Sequence, residues 1–441
     1  MNKKIVRAAF AAILLGTTAS AAMVCFPAVA AAADKKPPEK SISKSLYKPM
    51  IAVQKAVKEN DWTAAMASLK EAQAVPDRTP YDDYKINQFI ALTAANLKDY
   101  PTTTTAYEAM AASPEEEAGD KTTTRRNLVM LEFNAKDYAK TLKYGEELQT
   151  LGPLDARTMS IMATAYLDTN NFAKAEEFSK KSVDAAVAAN TQPTQEALGV
   201  LLSAQVKQNK QAEAAKTLEM LATNYGTANQ WSQLTDLALG TPGIQNSDGL
   251  DLYRLRDAAG AMKDANDYAL MSQIALQLGY PGEAKTILDQ GIAATRITST
   301  GMAASLYKSA VAGAASDDKT LPKFAAEAQA RKTGDYDEKL AETYFGYKRY
   351  AEAETAARRS LSKPGGKDPL QAKMLLAMSL ARQDKYQDAI TIFKEVEDAG
   401  GRAARVKAAH LWVSFCHFKM PPAAPATAAA PAAAPAAQPQ Q

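Results

Sequence analysis

Histidine is almost missing from this chain: His410 and His417 are the only two among 441 residues. A Ser-His-Asp or Cys-His hydrolase would have to draw on one of them, with a partner across a cleft. The chain has no G-x-S-x-G, no H-E-x-x-H, no G-x-x-x-x-G-K-[ST] and no paired C-x-x-C, so the common nucleophile, zinc and phosphate signatures are lacking too. Cysteine is as scarce, with only Cys25 and Cys416. Cys416 and His417 are neighbours and would splay roughly 100° apart on a helix. Together with His410 they offer no fourth ligand, so a packed or solvated helix is the reading there and no metal is expected. Asn246-Ser247-Asp248-Gly249 has the look of a calcium-loop fragment. It lacks the later ligands and the closing Glu, and reads better as a turn followed by a helix N-cap. Carboxylate pairs such as Glu146-Glu147 and Glu176-Glu177 fit solvated helix faces, and nothing selects one pair for the opposed geometry of a glycosidase.

Charge of one sign is lacking as well. The surplus of 52 Lys and Arg over 49 Asp and Glu sits in the first residues. Met1-Asn2-Lys3-Lys4-Ile5-Val6-Arg7 opens an Ala/Ile/Leu-rich stretch that ends in Ala28-Val29-Ala30 and Ala31-Ala32-Ala33. That pattern predicts a secretory signal peptide over residues 1–33, cleaved after Ala30 or Ala33. Gly16-Thr17-Thr18 and Pro27 interrupt the apolar run and argue against a membrane anchor. Removing Lys3, Lys4 and Arg7 leaves 49 basic against 49 acidic side chains, so nothing points to nucleic acid or an anionic membrane as partner. Cleavage also removes Cys25, which rules out an intramolecular disulfide. No later apolar run is long enough to span a bilayer. The expected location is the periplasm, with a mature form that does not span a membrane.

What the chain does have is a recurring mark: a polar or acidic residue, an aromatic, and a small residue three positions on. It occurs at Asp61-Trp62 with Ala65, Asp99-Tyr100 with Thr103, Asp137-Tyr138 with Thr141, Asn171-Phe172 with Ala175, Arg349-Tyr350 with Ala353 and Lys385-Tyr386 with Ala389. Subtracting positions of neighbouring aromatics gives spacings of 38, 38, 34 and, near the end, 36 residues. Such a period means a repeat array. Ile161 to Leu167 reads as one helix, Asp168-Thr169-Asn170-Asn171 as a turn, and Phe172 to Ala188 as a second helix. Small Ala163 and Ala175 would let the two approach closely, with Phe172 filling the turn.

This pattern resembles the tetratricopeptide repeat (TPR), in which a small residue at position 8, a large one at 11, an aromatic at 17 and Ala at 20 recur. Ala163, Tyr166, Phe172 and Ala175 match all four. Ala341, Tyr344, Tyr350 and Ala353 match again, and Ala377, Leu380, Tyr386, Ala389 and Phe393 give a third match. The register extends to ten units: 46–79, 84–117, 122–155, 156–189, 195–228, 229–262, 265–298, 300–333, 334–367 and 370–403. The expectation is an all-α fold, a right-handed α-solenoid of about ten helix–turn–helix units. Residues 46–228 would be the N-terminal units, 229–333 degenerate helical hairpins and 334–403 the C-terminal units. In the units at 229 and 300, Asp248 and Lys319 stand where Ala is expected, with Gly240-Thr241-Pro242-Gly243 and Ser316-Asp317-Asp318 as their turns. A polar leader over 34–45 precedes the array. A cap helix over 404–420 follows it, then an Ala/Pro tail over 421–441 that composition predicts to be disordered.

The resemblance also implies where a ligand would sit. First helices of such arrays line a concave groove, which here selects Gln54, Gln88, Leu92, Arg126, Met130, Phe133, Arg157, Ser160 and Thr164, and later Gln273, Glu338, Glu342, Met374 and Met378. The lining is mostly uncharged and suits an extended peptide or a partner helix. Arg126 and Arg157 fall in adjacent units and could meet there as an anion contact. The cap helix is apolar on almost every face. Trp412, Phe415 and Phe418 are therefore candidates for a self-association face, the alternative being packing on the last repeat. The implied function is a non-enzymatic periplasmic scaffold that binds protein or peptide segments, without a cofactor. The alternatives are a chaperone-like holdase for exported proteins and a carboxylate-based cell-wall hydrolase on a helical array.

Overall fold

A computed structural model describes residues 40–298 and 302–420. The expected signal peptide, the start of the leader and the Ala/Pro tail lie outside those residues. The described residues form α-helices and turns, without a strand. The helices are α1 (Tyr47–Glu59), α2 (Trp62–Gln73), α3 (Pro80–Leu97), α4 (Tyr100–Ala112), α5 (Ala118–Asn134), α6 (Tyr138–Leu151), α7 (Ala156–Asp168), α8 (Phe172–Ala188), α9 (Gln195–Lys207) and α10 (Gln211–Tyr225). They continue as α11 (Ala228–Leu239), α12 (Asn246–Ala258), α13 (Ala265–Gln277), α14 (Pro281–Ala293), α15 (Met302–Ala330), α16 (Asp335–Gly346), α17 (Tyr350–Ser362), α18 (Pro369–Ala381), α19 (Tyr386–Ala399) and α20 (Ala403–Lys419). Each packs on the next along the whole chain, which makes an all-α solenoid.

The recurring mark is a two-part turn. The residue two before each aromatic takes the left-handed conformation: Asn60, Lys98, Lys136, Asn170, Lys348 and Asp384 all have φ between 59° and 62°. The N–H that follows reaches back to the preceding helix, from Asp61 to the Ala56 carbonyl, Asp99 to Ala94, Asp137 to Glu132 and Asn171 to Tyr166. This is the Schellman closure of a helix C-terminus. The same Asp61, Asp99, Asp137 and Asn171 side chains then accept the N–H of Ala64, Thr102, Lys140 and Lys174, capping the next helix. One short residue run thus ends one helix and starts another. The small residues of the mark, Ala65, Thr103, Thr141, Ala175, Ala353 and Ala389, are all buried where the two helices touch. Thr103 and Thr141 hide their hydroxyls by donating to the carbonyls of Asp99 and Asp137.

Where the mark is missing, the array changes. The α11–α12 hairpin is joined by a longer turn through Pro242 and Gly243 (φ 73°). The turn and N-cap expected at Asn246-Ser247-Asp248-Gly249 are not formed: all four residues lie in α12, whose N-cap is Gln245, and fully buried Asp248 accepts bonds from Arg402 at 2.8, 2.9 and 3.3 Å. The hairpin expected over 300–333 is not formed. Ser316, Asp317 and Asp318 lie inside α15, a single helix of 29 residues, about 44 Å long at 1.5 Å per residue. Ser, Asp and Gly are weak turn signals next to a full Schellman closure, and here tertiary contacts override them. Asp317 accepts a hydrogen bond from the Tyr347 hydroxyl, and Gly313 passes so close to Pro281 that a Cβ would stand 2.4 Å from it. Pro322 is accommodated within α15, without the bond its missing N–H would have made. The unbroken helix shifts the count by one, so the last hairpins begin on even-numbered helices, α16 and α18.

The core is divided unevenly. In the first half one cluster joins α1 to α7, and two small ones join α7 to α10. In the second half a single cluster takes in residues from α10, α11, α12 and α15 to α20, with a satellite around α13 and α14. The cause is α20. It touches α18 and α19 and also α10, α11 and α12. The expected cap over the last repeat is therefore corrected in its reach: the last helix packs on α19 and is also folded back into the middle of the array.

Candidate functional site

In the first half the first helices form a row. α5 touches α7 and α7 touches α9, while α3 is tied to α5 through Asp120, which accepts from the Tyr84 hydroxyl and from Gln88 Nε2. Gln54 on α1 and Arg126 and Arg157 on this row are exposed, and Leu92, Met130, Phe133, Ser160 and Thr164 are half-buried. Not all of them are available. Gln88 is held by Asp120, Ser160 shares a hydrogen bond with Ser182 at 2.8 Å, and the Thr164 hydroxyl donates to the Ser160 carbonyl. The Phe133 ring lies 6.1 Å from Tyr138 at its own turn. Arg126 pairs at 3.4 Å with Asp155, the N-cap of α7, two residues before Arg157. That carboxylate offsets the cation that Arg126 would have brought to an anion.

Arg125, beside it, was not singled out by repeat position. It bridges Glu116 and Glu147 and donates to the Ala111 carbonyl, so it is structural.

The second half treats the same repeat positions differently. Gln273 is exposed and Glu338 is half-buried, but Glu342, Met374 and Met378 are buried. They do not line an open groove, because α12 and α20 occupy it. Arg254 of α12 donates to Asp251 at 2.9 Å, to both Glu283 oxygens at 2.8 and 2.7 Å and to Glu342 at 2.7 Å. Gln371 of α18 donates to Asp251 at 3.1 Å and Glu342 at 3.3 Å. The Phe345 ring covers the guanidinium at 4.7 Å. Burial pushes the Asp251 carboxyl up to about 7, Arg254 opposing and Glu342 adding to the shift. Burial raises Glu342 as well, against the pull of Arg254. These carboxylates have no solvent face on which a sugar could sit, so they do not make the opposed pair of a hydrolase.

The aromatic set proposed for self-association is used internally. Trp412 is fully buried and its Nε1 donates to the Asp251 carbonyl at 3.1 Å. Phe415 meets Trp231 edge-on at 5.5 Å, and Phe418 lies 5.8 Å from the same ring. The face expected to be open for a second copy is therefore covered within the chain by α10, α11 and α12. Polar contacts frame the helix on either side. Arg402 and Arg405 hold Asp248 and Asp368, Lys407 reaches Thr241, and Ser414 donates to Glu219 at 2.5 Å. His410 donates to Glu219 at 2.8 Å and pairs with Glu397 at 3.3 Å, which hold its pKa up at about 9 against partial burial. Burial pushes the Cys416 thiol up to about 12, which makes it an inert packing group.

Where the row of first helices meets the closed half, an open groove of 640 Å³ lies between α9, α10 and α11. Leu202, Val206, Leu218 and Leu237 line it, with Gln211 and Asp236 at its polar margin. Val206 and Leu237 are exposed although apolar. Repeat positions do not flag this groove, because it arises from the break in stacking at α11 and not from the repeat.

No family model and no curated protein matches the chain. Among solved structures it is similar to a tetratricopeptide repeat protein from Parabacteroides merdae, with 15% identity and a TM-score of 0.31 over 61% of this chain and 100% of that one. It is also similar to yeast Tom70, at 11% identity and a TM-score of 0.23 over 85% and 96% of the two chains. The TPR2AB-domain:pHSP90 complex of yeast Sti1 gives 10% identity and a TM-score of 0.23 over 68% and 99%. Overlaps of this size carry no weight for the shape or function of the whole chain.

Proposed function

We propose that this protein is a non-enzymatic interaction scaffold that binds an extended peptide or a partner helix along the row α3, α5, α7 and α9. One observation carries the reading. The first helices of neighbouring units lie side by side and leave Leu92 and Met130 partly exposed. Thioether and aliphatic groups along a continuous surface suit a segment recognised by shape and apolar contact. The equivalent surface in the second half is filled by α12 and α20, so binding is assigned to the first half alone. The basic, Ala-rich segment over residues 1–33 supports placement in the periplasm, which cell fractionation with an antibody to the mature chain would check.

The test is photo-crosslinking of the full-length protein in periplasmic extract, with the crosslinking residue at Met130 or at Gln273. Capture of one defined partner from position 130 and none from 273 is the expected result, and Leu92→Asp with Met130→Asp should cut it by about tenfold or more. Equal capture from both positions would overturn the assignment to the first half. Many unfolded clients would identify a holdase instead.

A further inference from the structure

Arg254 stands where four helices from distant parts of the chain converge. Asp251 comes from α12, Glu283 from α14, Glu342 from α16 and Gln371 from α18, and all are 0–6% exposed. Three carboxylates face one guanidinium, so a fully ionised cluster would leave two uncompensated negative charges out of reach of water. Desolvating even one such charge is costly enough that a buried acid normally takes up a proton instead.

The surrounding groups do not supply the missing cations. On α12, Asp248 is already shared between Arg402 and Arg405, and Asp257 pairs with Arg382 at 3.4 Å. Arg402 and Arg405 are also committed to Asp368, just before α18. Glu338 of α16 adds another acid near Glu342, Tyr280 is neutral, and Lys348 lies exposed at the edge of the small cavity beside Arg254. A second observation comes from Gln371. Its Nε2 bridges Asp251 and Glu342, yet its Oε1 is buried without a donor. With the amide turned over, that oxygen would face the Asp251 and Glu342 carboxyls, and a protonated one would supply the absent O–H.

We propose that the Arg254 cluster is a proton-binding clasp: it holds one proton between Asp251 and Glu342, centred on Asp251, so closure of the second half around α12 as it folds takes up a proton from solvent and tightens as pH falls. The direction follows from linkage. In the open, unfolded chain Asp251 titrates near the ordinary value of about 3.9. In the closed state it is held up at about 7. Below the lower value both states carry the proton. Between the two only the closed state does, so closure weakens as pH rises, by up to about tenfold per pH unit. Above the upper value neither carries it and the slope ends. Paired acids such as Asp368 and Glu219, whose own burial is outweighed by the pull of Arg405 and His410 respectively, act in the opposite sense. The comparison with a variant therefore isolates the clasp.

Two measurements on the full-length protein test this. Infrared spectra at pH 5 should show the C=O band of a buried protonated carboxyl, which fades as pH passes neutrality and is missing from Asp251→Asn. Denaturant unfolding of the second half should then show the wild-type unfolding constant rising about 100-fold more than that of Asp251→Asn between pH 5 and pH 8, following the same tenfold-per-unit linkage. Absence of the band in the wild type, or equal pH slopes in the two proteins, would overturn the proposal. The wild-type band decides the matter alone if Asp251→Asn does not fold.

Discussion

The two halves of this chain are built from the same hairpin and reach opposite ends. In the first half most side-chain bonds between elements join residues about 20–40 positions apart, as in Ser43 to Asp82 or Gln208 to Glu176, and the longest span among the described residues is 75, from Lys40 to Glu115. From α10 onward they also join residues 120, 161 and 195 positions apart, through Gln371 to Asp251, Trp412 to Asp251 and Ser414 to Glu219. The first half is a stack in which each unit needs only its neighbours. The second half is a closed body, with one shared core and an ion cluster inside it. A repeat register therefore does not tell which first-helix surface stays open. In one half that surface is available to another molecule, and in the other the chain has used it for itself.

The largest expected effect separates the halves directly. Arg254→Met leaves three buried acids without their cation and should destabilise the second half by about 3–5 kcal/mol. Hydrogen exchange should then show lost protection in α12 to α20 and none in α1 to α8. Loss in both halves would mean that they unfold as one unit.

Trp412→Ala should cost about 3–5 kcal/mol by emptying the centre of the shared core. It should also expose Trp231, which fluorescence quenching would report. Phe178→Ala removes a ring of similar size from a core confined to α7–α9. Its exchange signature should stay within α7 to α10, and spreading beyond would blur the contrast between stack and closed body.

Smaller changes test what the halves share. Asp137→Ala removes a cap from one turn and should cost about 1 kcal/mol, measured by denaturant midpoint. It should leave the second half unaffected.

The smallest effect concerns His410. Its pKa is raised from 6.5 to about 9. Its contribution is therefore complete below pH 6.5 and is lost as pH rises through 9. With the imidazole side chain 54% exposed, solvent screening limits this to about 0–1 kcal/mol. His410→Gln should flatten the thermal stability profile between those pH values and leave it unchanged at pH 9.5.

Much of the local structure was legible. The mark at Asp61-Trp62, Asp99-Tyr100, Asp137-Tyr138 and Asn171-Phe172 announces a helix end and a helix start within a few residues, because the bonds that make it span only three to five positions. Ala175, Ala353 and Ala389 are small because helices touch there. The half-buried Leu92 and Met130 of the first-half surface could also be placed from the register. Ser316-Asp317-Asp318 misled, since those residues favour turns only when nothing else holds the helix. Glu342, Met374 and Met378 misled for another reason: their repeat position is concave, and concavity says nothing about what fills it.

The sequence by itself determined the all-α repeat, its hairpin turns and the close contacts within each pair, all of which rest on local bonding and on side-chain size. Only the tertiary structure decided that α15 runs unbroken, that α20 returns to α10, α11 and α12, and that Asp248, Asp251, Glu283 and Glu342 sit together in the interior. Those outcomes depend on contacts between residues more than a hundred positions apart or on a helix having the right neighbour, and no short pattern encodes either. A helix as apolar as Leu411-Trp412-Val413-Ser414-Phe415 had to be covered by something. The covering surface, and with it the difference between an open groove and a closed one, exists only once the chain has folded back on itself.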